Sequence, residues 1–65
     1  MKNSSLVYFY RDALLNYPDP GRLVYLSRHI MKDVSLTSEE RSYLMSLANH
    51  LYRCLVGQRD IYLDL

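Results

Sequence analysis

Apolar and polar positions alternate most regularly over residues 37–57, TSEERSYLMSLANHLYRCLVG. Wound at about 100° per residue, Glu39, Ser42, Ser46, Asn49 and Arg53 line up as one polar strip. The remaining positions are mostly apolar: Tyr43, Leu44, Met45, Leu47, Ala48, Leu51, Tyr52, Cys54, Leu55 and Val56. That arc is roughly twice the ~100° stripe with which a surface helix usually meets its core. Such a helix needs cover from two sides. Thr37 and Glu40 have the spacing of a capping box, and Gly57 stands where a helix end needs a residue that tolerates the left-handed region. The pattern predicts a helix over 38–56.

Upstream, Leu6, Phe9, Ala13, Leu14 and Tyr17 recur at helical spacing. They predict a first helix over 5–17, capped by Ser4 or Ser5. LVYFY alone favours a strand, but helix-favouring RDALLN follows it and no strand partner of similar strength lies nearby. Pro18-Asp19-Pro20-Gly21 breaks the chain. Pro18 pushes Tyr17 out of the helical region, and Asp19 followed by Pro20 suits the cap and first position of a second helix. That helix is expected over 20–33, with Leu23, Leu26, Ile30 and Val34 as its apolar line and Arg22, Arg28 and Lys32 off it. The connection through residues 33–36 is short, so the second and third helices should be antiparallel neighbours or cross steeply. In the tail, 58–65, Ile61, Leu63 and Leu65 alternate with Tyr62 and Asp64. It is expected to fold back over the apolar arc, the alternative being a ligand segment for another surface.

These readings define an all-α fold: one domain over 1–65, three helices and a short apolar C-terminal tail. A chain of 65 residues buries only about 60% of its unfolded surface and is marginal alone. Small domains find support in disulfides, metals or partner chains. Cys54 is the single cysteine, which excludes an internal disulfide and suits a reducing cytoplasm. No four-ligand zinc pattern is present. Oligomerisation remains, and the broad arc predicts a homodimeric helical bundle, with Leu44, Leu47, Leu51 and Leu55 as the self-association residues. The longest uncharged run, 42–52, is well short of the ~20 residues of a membrane span. The N-terminal apolar run is cut too early by Arg11 and Asp12 for a secretory signal. A cytoplasmic protein without membrane contact is expected.

Candidate chemistry is sparse. His50 and Cys54 are four apart on a helix, a metal-ligand spacing, and His29 is a conceivable third ligand. No further cysteine or nearby carboxylate joins them, and the expected state of Cys54 is a small buried apolar residue. A reactive thiolate needs an electropositive, open site, whereas the end of a helix carries negative dipole charge. Neither paired carboxylates in an apolar setting nor a glycine-rich phosphate loop exists. The sequence therefore predicts no enzyme, no metal and no cofactor. Net charge is +1, from eight basic and seven acidic side chains, unlike the basic stripe of a strong phosphate binder. A helix-turn-helix reading would set Ser42, Ser46, Asn49 and Arg53 in the major groove, but Glu39 and Glu40 would then face phosphates. Direct nucleic-acid binding is not expected. In a weaker alternative, a transcriptional modulator, the contacts would be Arg22, Arg28, Lys32, Arg41 and Arg53.

Seven tyrosines with no tryptophan suit partly wet surfaces, because the ring can be buried while the hydroxyl stays solvated. Tyr8, Tyr10, Tyr25, Tyr62 and Leu63 are the expected partner contacts. Leu36-Thr37, Glu40, Ser46, Ala48 and His50 resemble a stretch of the Hha/YmoA family of small expression modulators, which reads roughly L-S-x-x-E and then S-A-A-D-H. The likeness covers about fifteen residues. It departs at Asn49, where the family has an acidic residue, and at the C-terminal IYLDL. The resemblance implies a cytoplasmic helical protein that acts by binding nucleoid-structuring proteins of the H-NS type. Together these readings predict a small, non-enzymatic regulatory protein, of the kind phages, plasmids and bacteria encode, that pairs with itself and binds a regulatory protein.

Overall fold

A computed structural model describes residues 2–16, 19–58 and 60–61, with side chains from Leu6 onward. Three helices follow one another: α1 (Lys2–Asn16), α2 (Pro20–Lys32) and α3 (Ser38–Val56). Each packs against the other two, and no strand occurs among the described residues. The small all-α domain is as the sequence predicts.

The local signals explain the two well-marked helix starts. The Asp19 carboxylate accepts the Arg22 N–H at 3.0 Å, and Pro20 occupies the first turn of α2, where its missing N–H costs nothing. At α3 the capping box is complete: Thr37 Oγ1 accepts the Glu40 N–H at 3.1 Å, and Glu40 Oε1 accepts the Thr37 N–H at 2.8 Å. Gly57 ends α3 at φ 89° and ψ −145°, in territory that only glycine enters freely. The start of α1 differs from expectation. It begins at Lys2, so Ser4 and Ser5 lie inside the helix rather than capping it.

Leu14, Leu23, Ile30, Leu44 and Ile61 are fully enclosed at the centre, joined by Tyr10, Leu26, Leu36, Met45, Ala48 and Tyr52. Burying a side chain of leucine size stabilises by about 1.5–3 kcal/mol, so this cluster supplies most of the driving force. Two expected core positions are corrected. Phe9 is 64% exposed while Tyr10 is buried, so the inner face of α1 runs Leu6, Val7, Tyr10, Ala13 and Leu14. Val34 is 93% exposed, because α2 ends before it and the chain turns there. Tyr17 lies outside the described residues.

The chain returns on itself after α3. Ile61 is buried, its N–H donates to Asn49 Oδ1 at 3.0 Å, and Arg53 pairs with Asp60 at 2.6 Å. Residues 60–61 thus return through two members of the polar strip, whereas the fold-back expected from the sequence lies over the apolar arc. Residues 62–65 are outside the described part.

Candidate interaction surface

Arg41 organises the turn between α2 and α3. Its Nε donates to the Ile30 carbonyl at 3.2 Å, and its Nη2 donates to the carbonyls of Asp33 at 2.7 Å and Leu36 at 3.3 Å. These are carbonyls of a helix end and its turn, of which Ile30 and Asp33 also accept the backbone N–H groups of Asp33 and Leu36, and a planar guanidinium is well matched to their remaining lone pairs. Asp33 carries the other half of the arrangement. Its carboxylate accepts the Ser35 N–H at 2.9 Å and the Tyr10 hydroxyl at 2.6 Å. The Tyr10 hydroxyl, followed by the Ser35 backbone, holds the Asp33 carboxyl below its ordinary range. Burial first, and the facing Asp33 second, push the Tyr10 hydroxyl up to about 12.

That network redistributes the residues singled out by sequence. Tyr10, an expected partner contact, is buried and tethers α1 to the turn. Tyr8 and Tyr25 are exposed, at 54% and 60%. Tyr62 and Leu63 lie outside the described residues. Among the expected self-association residues, Leu44 is wholly enclosed in the chain's own core and offers no outer surface. Leu47 and Leu51 are half-buried against the core, and Leu55 is exposed. Tyr43 is exposed where Leu44 was expected to be. The outer ridge of α3 is therefore Tyr43, Leu47, Leu51 and Leu55, a row with four-residue spacing.

At one end this ridge meets α1. Val7, Tyr8, Arg11, Glu40 and Tyr43 line a cleft of about 340 Å³ between the two helices. The Arg11 guanidinium lies over the Tyr8 ring, 4.9 Å from its centroid, and the shielded Arg11 Nε meets no hydrogen-bond partner among the described residues. Exposed Tyr8 and Tyr43 so carry the apolar surface across the seam from α3 to α1. On the opposite flank of α3, a groove of about 500 Å³ runs along Ser38, Ser42, Ser46 and Asn49, walled by Met31 of α2. Ser42, Ser46 and Asn49 of the polar strip line this open groove, and Ser42 and Ser46 remain exposed to solvent.

Cys54 is exposed, contrary to expectation. It lies two residues beyond buried Tyr52, about 200° around the helix, and so points away from the core. His50 is exposed too, while His29 sits on α2 with its ring edge-on to Tyr25, centroids 4.6 Å apart. Among the described residues no three metal-ligating side chains converge. No described helix is long and apolar enough to cross a membrane. Of the five basic residues proposed for nucleic acid, Arg41 is committed to the turn and Arg53 to Asp60. Arg22 has a partner within the chain. Arg28 and Lys32 remain outward on α2.

Compared with family models, with curated proteins and with solved structures, the chain matches none.

Proposed function

We propose that this chain is a non-enzymatic interaction protein that pairs with a second copy of itself and binds a regulatory protein of the cell or host that carries it. The observation behind this reading is the ridge Tyr43, Leu47, Leu51 and Leu55, continued across the α1 seam by Tyr8. Contiguous apolar surface of this kind, rimmed by polar residues, marks contact sites in soluble proteins. A row of four-residue spacing also suits the commonest helix–helix geometry, in which two such ridges interlock at an angle of about −50°. The Hha/YmoA-like stretch supports a regulatory partner. Ala48 and Leu36 of that stretch face the core, whereas Ser46 and His50 face outward.

Sedimentation velocity tests the pairing. A dimer is expected at micromolar concentration, and Leu55→Asp is expected to give a monomer with unchanged helical circular dichroism. A wild-type chain that sediments as a monomer at high concentration overturns it. Salt then separates this reading from a nucleic-acid one: apolar and tyrosine contacts respond weakly to ionic strength, whereas phosphate contacts weaken steeply.

A further inference from the structure

The near-neutral total charge conceals a segregated one. Within α2, PGRLVYLSRHIMK, there are two arginines, a lysine and a histidine but no acidic residue. The core line Leu23, Leu26 and Ile30 takes one side of the helix. Tyr25, Arg28, His29 and Lys32 take the opposite side, at the i, i+3, i+4 and i+7 positions that make one face. They surround a shallow hollow of about 190 Å³ whose wall is the edge-on pair of Tyr25 and His29. Solvent-facing helix surfaces ordinarily interleave both signs of charge. This one has a single sign with an aromatic ring beside it. The nearest carboxylates along the chain are already engaged, Asp19 at the cap of α2 and Asp33 by Tyr10 and Ser35.

We propose that the outward face of α2 docks an acidic polypeptide segment of a partner protein. This deepens the interaction reading above and rests on it, but uses a different face of the molecule from the α3 ridge. Charge complementarity is the argument for the occupant, and the size of the patch decides its class. Strong duplex binders make about 6–10 phosphate contacts. Here two cations, Arg28 and Lys32, stand one helical turn apart, while Arg41 is engaged by the turn carbonyls and exposed Arg53 by Asp60. That turn rises about 6 Å. Carboxylates two residues apart on an extended strand are separated by about 6.6 Å. An extended segment with acidic residues at alternate positions therefore meets both cations at once. Tyr25 supplies flat apolar area to the side chain between them, and the hydroxyl stays wet.

The test is an amide-resolved NMR titration of the whole protein with an eight-residue peptide alternating glutamate and valine, blocked at both ends. Saturable shifts confined to residues 22–32 are expected. Arg28→Gln combined with Lys32→Gln should weaken binding at least tenfold, and Tyr25→Ala several-fold. Arg53→Gln, which removes a charge from another face, should leave it unchanged. The same peptide with lysine in place of glutamate should not bind. Shifts scattered over the surface, binding insensitive to the double variant, or tighter and steeply salt-dependent binding of a duplex oligonucleotide each overturn the proposal. Repeating the titration on Leu55→Asp keeps the two readings apart. Peptide binding by a wild-type chain that never dimerises counts against pairing alone, and a dimer that ignores the peptide counts against this face alone.

Discussion

The turn between α2 and α3 and the return after α3 both fold the chain back on itself, by opposite means. The turn is a polar lattice. One guanidinium serves three carbonyls, one carboxylate serves a hydroxyl and an N–H, and a capping box closes the entry to α3. Among the described residues, the return is held by one enclosed apolar side chain, Ile61, trimmed by Asn49 and by an exposed ion pair. In the lattice, removing one member takes hydrogen-bond partners from polar groups that are partly shielded from water. In the return, removing the ion pair leaves groups that water can solvate. Similar hydrogen-bond distances therefore stand for dissimilar energies.

That contrast can be broken in graded steps. Ile61→Ala should have the largest effect, about 2–4 kcal/mol, the range for emptying a fully buried aliphatic site. For a domain of this size each 1 kcal/mol lowers the melting temperature by about 4–8 °C. An unchanged melting curve would mean that Ile61 does not hold the return. Arg41→Ala comes next, at about 2 kcal/mol, because the turn carbonyls lose charged donors while partly shielded from water. Urea unfolding should show a lower midpoint with the same slope.

Tyr10→Phe should cost about 1 kcal/mol near neutral pH, and its pH dependence is diagnostic. The Tyr10 hydroxyl is raised to about 12, so its contribution is complete below its unfolded value of about 10 and fades as pH climbs through 12. Asp33 is lowered, so its contribution is complete above the unfolded value of about 3.9 and fades as pH falls through the folded one. The stability gap between wild type and Tyr10→Phe should therefore form a plateau that closes at both ends. A gap constant from pH 3 to 12 would sever Tyr10 from Asp33. Smallest is Arg53→Gln, whose effect should shrink further with added salt, as for an exposed pair. A large, salt-resistant loss would move the return into the same class as the turn.

Where a physical signal was local, it was legible along the chain. Asp19-Pro20, the Thr37–Glu40 box and Gly57 each act within one turn, and α2 and α3 begin where those residues put them. The face of α1 was not legible. Residues 6–10 are all apolar or aromatic, so periodicity cannot choose between Phe9 and Tyr10. The choice follows from a partner 23 positions away, Asp33, which rewards burial of the ring that bears a hydroxyl. Arg41 reads along the chain as a candidate nucleic-acid contact because its basicity is visible there and its carbonyl partners are not. The arc of α3 was seen as too wide for a surface helix, but a helical wheel cannot divide it into what the chain's own core takes, Leu44, Met45, Ala48 and Tyr52, and what is left outside, Tyr43 and Leu55. Ser27 shows the same limit in reverse. It is polar by composition, yet fully buried, with its hydroxyl satisfied by the Leu23 carbonyl at 2.6 Å.

Gly57 offers one more consequence. A methyl group added there would meet nothing within 4 Å among the described residues, so against these neighbours the penalty for L-alanine is torsional. Inverted through the origin, its φ of 89° and ψ of −145° fall in the ordinary extended region. A mirror-image alanine installed by chemical synthesis would thus be free of the torsional strain that its natural enantiomer meets in this geometry. It should stiffen the unfolded chain and raise stability by about 0.4–1 kcal/mol, while L-alanine at the same place lowers it.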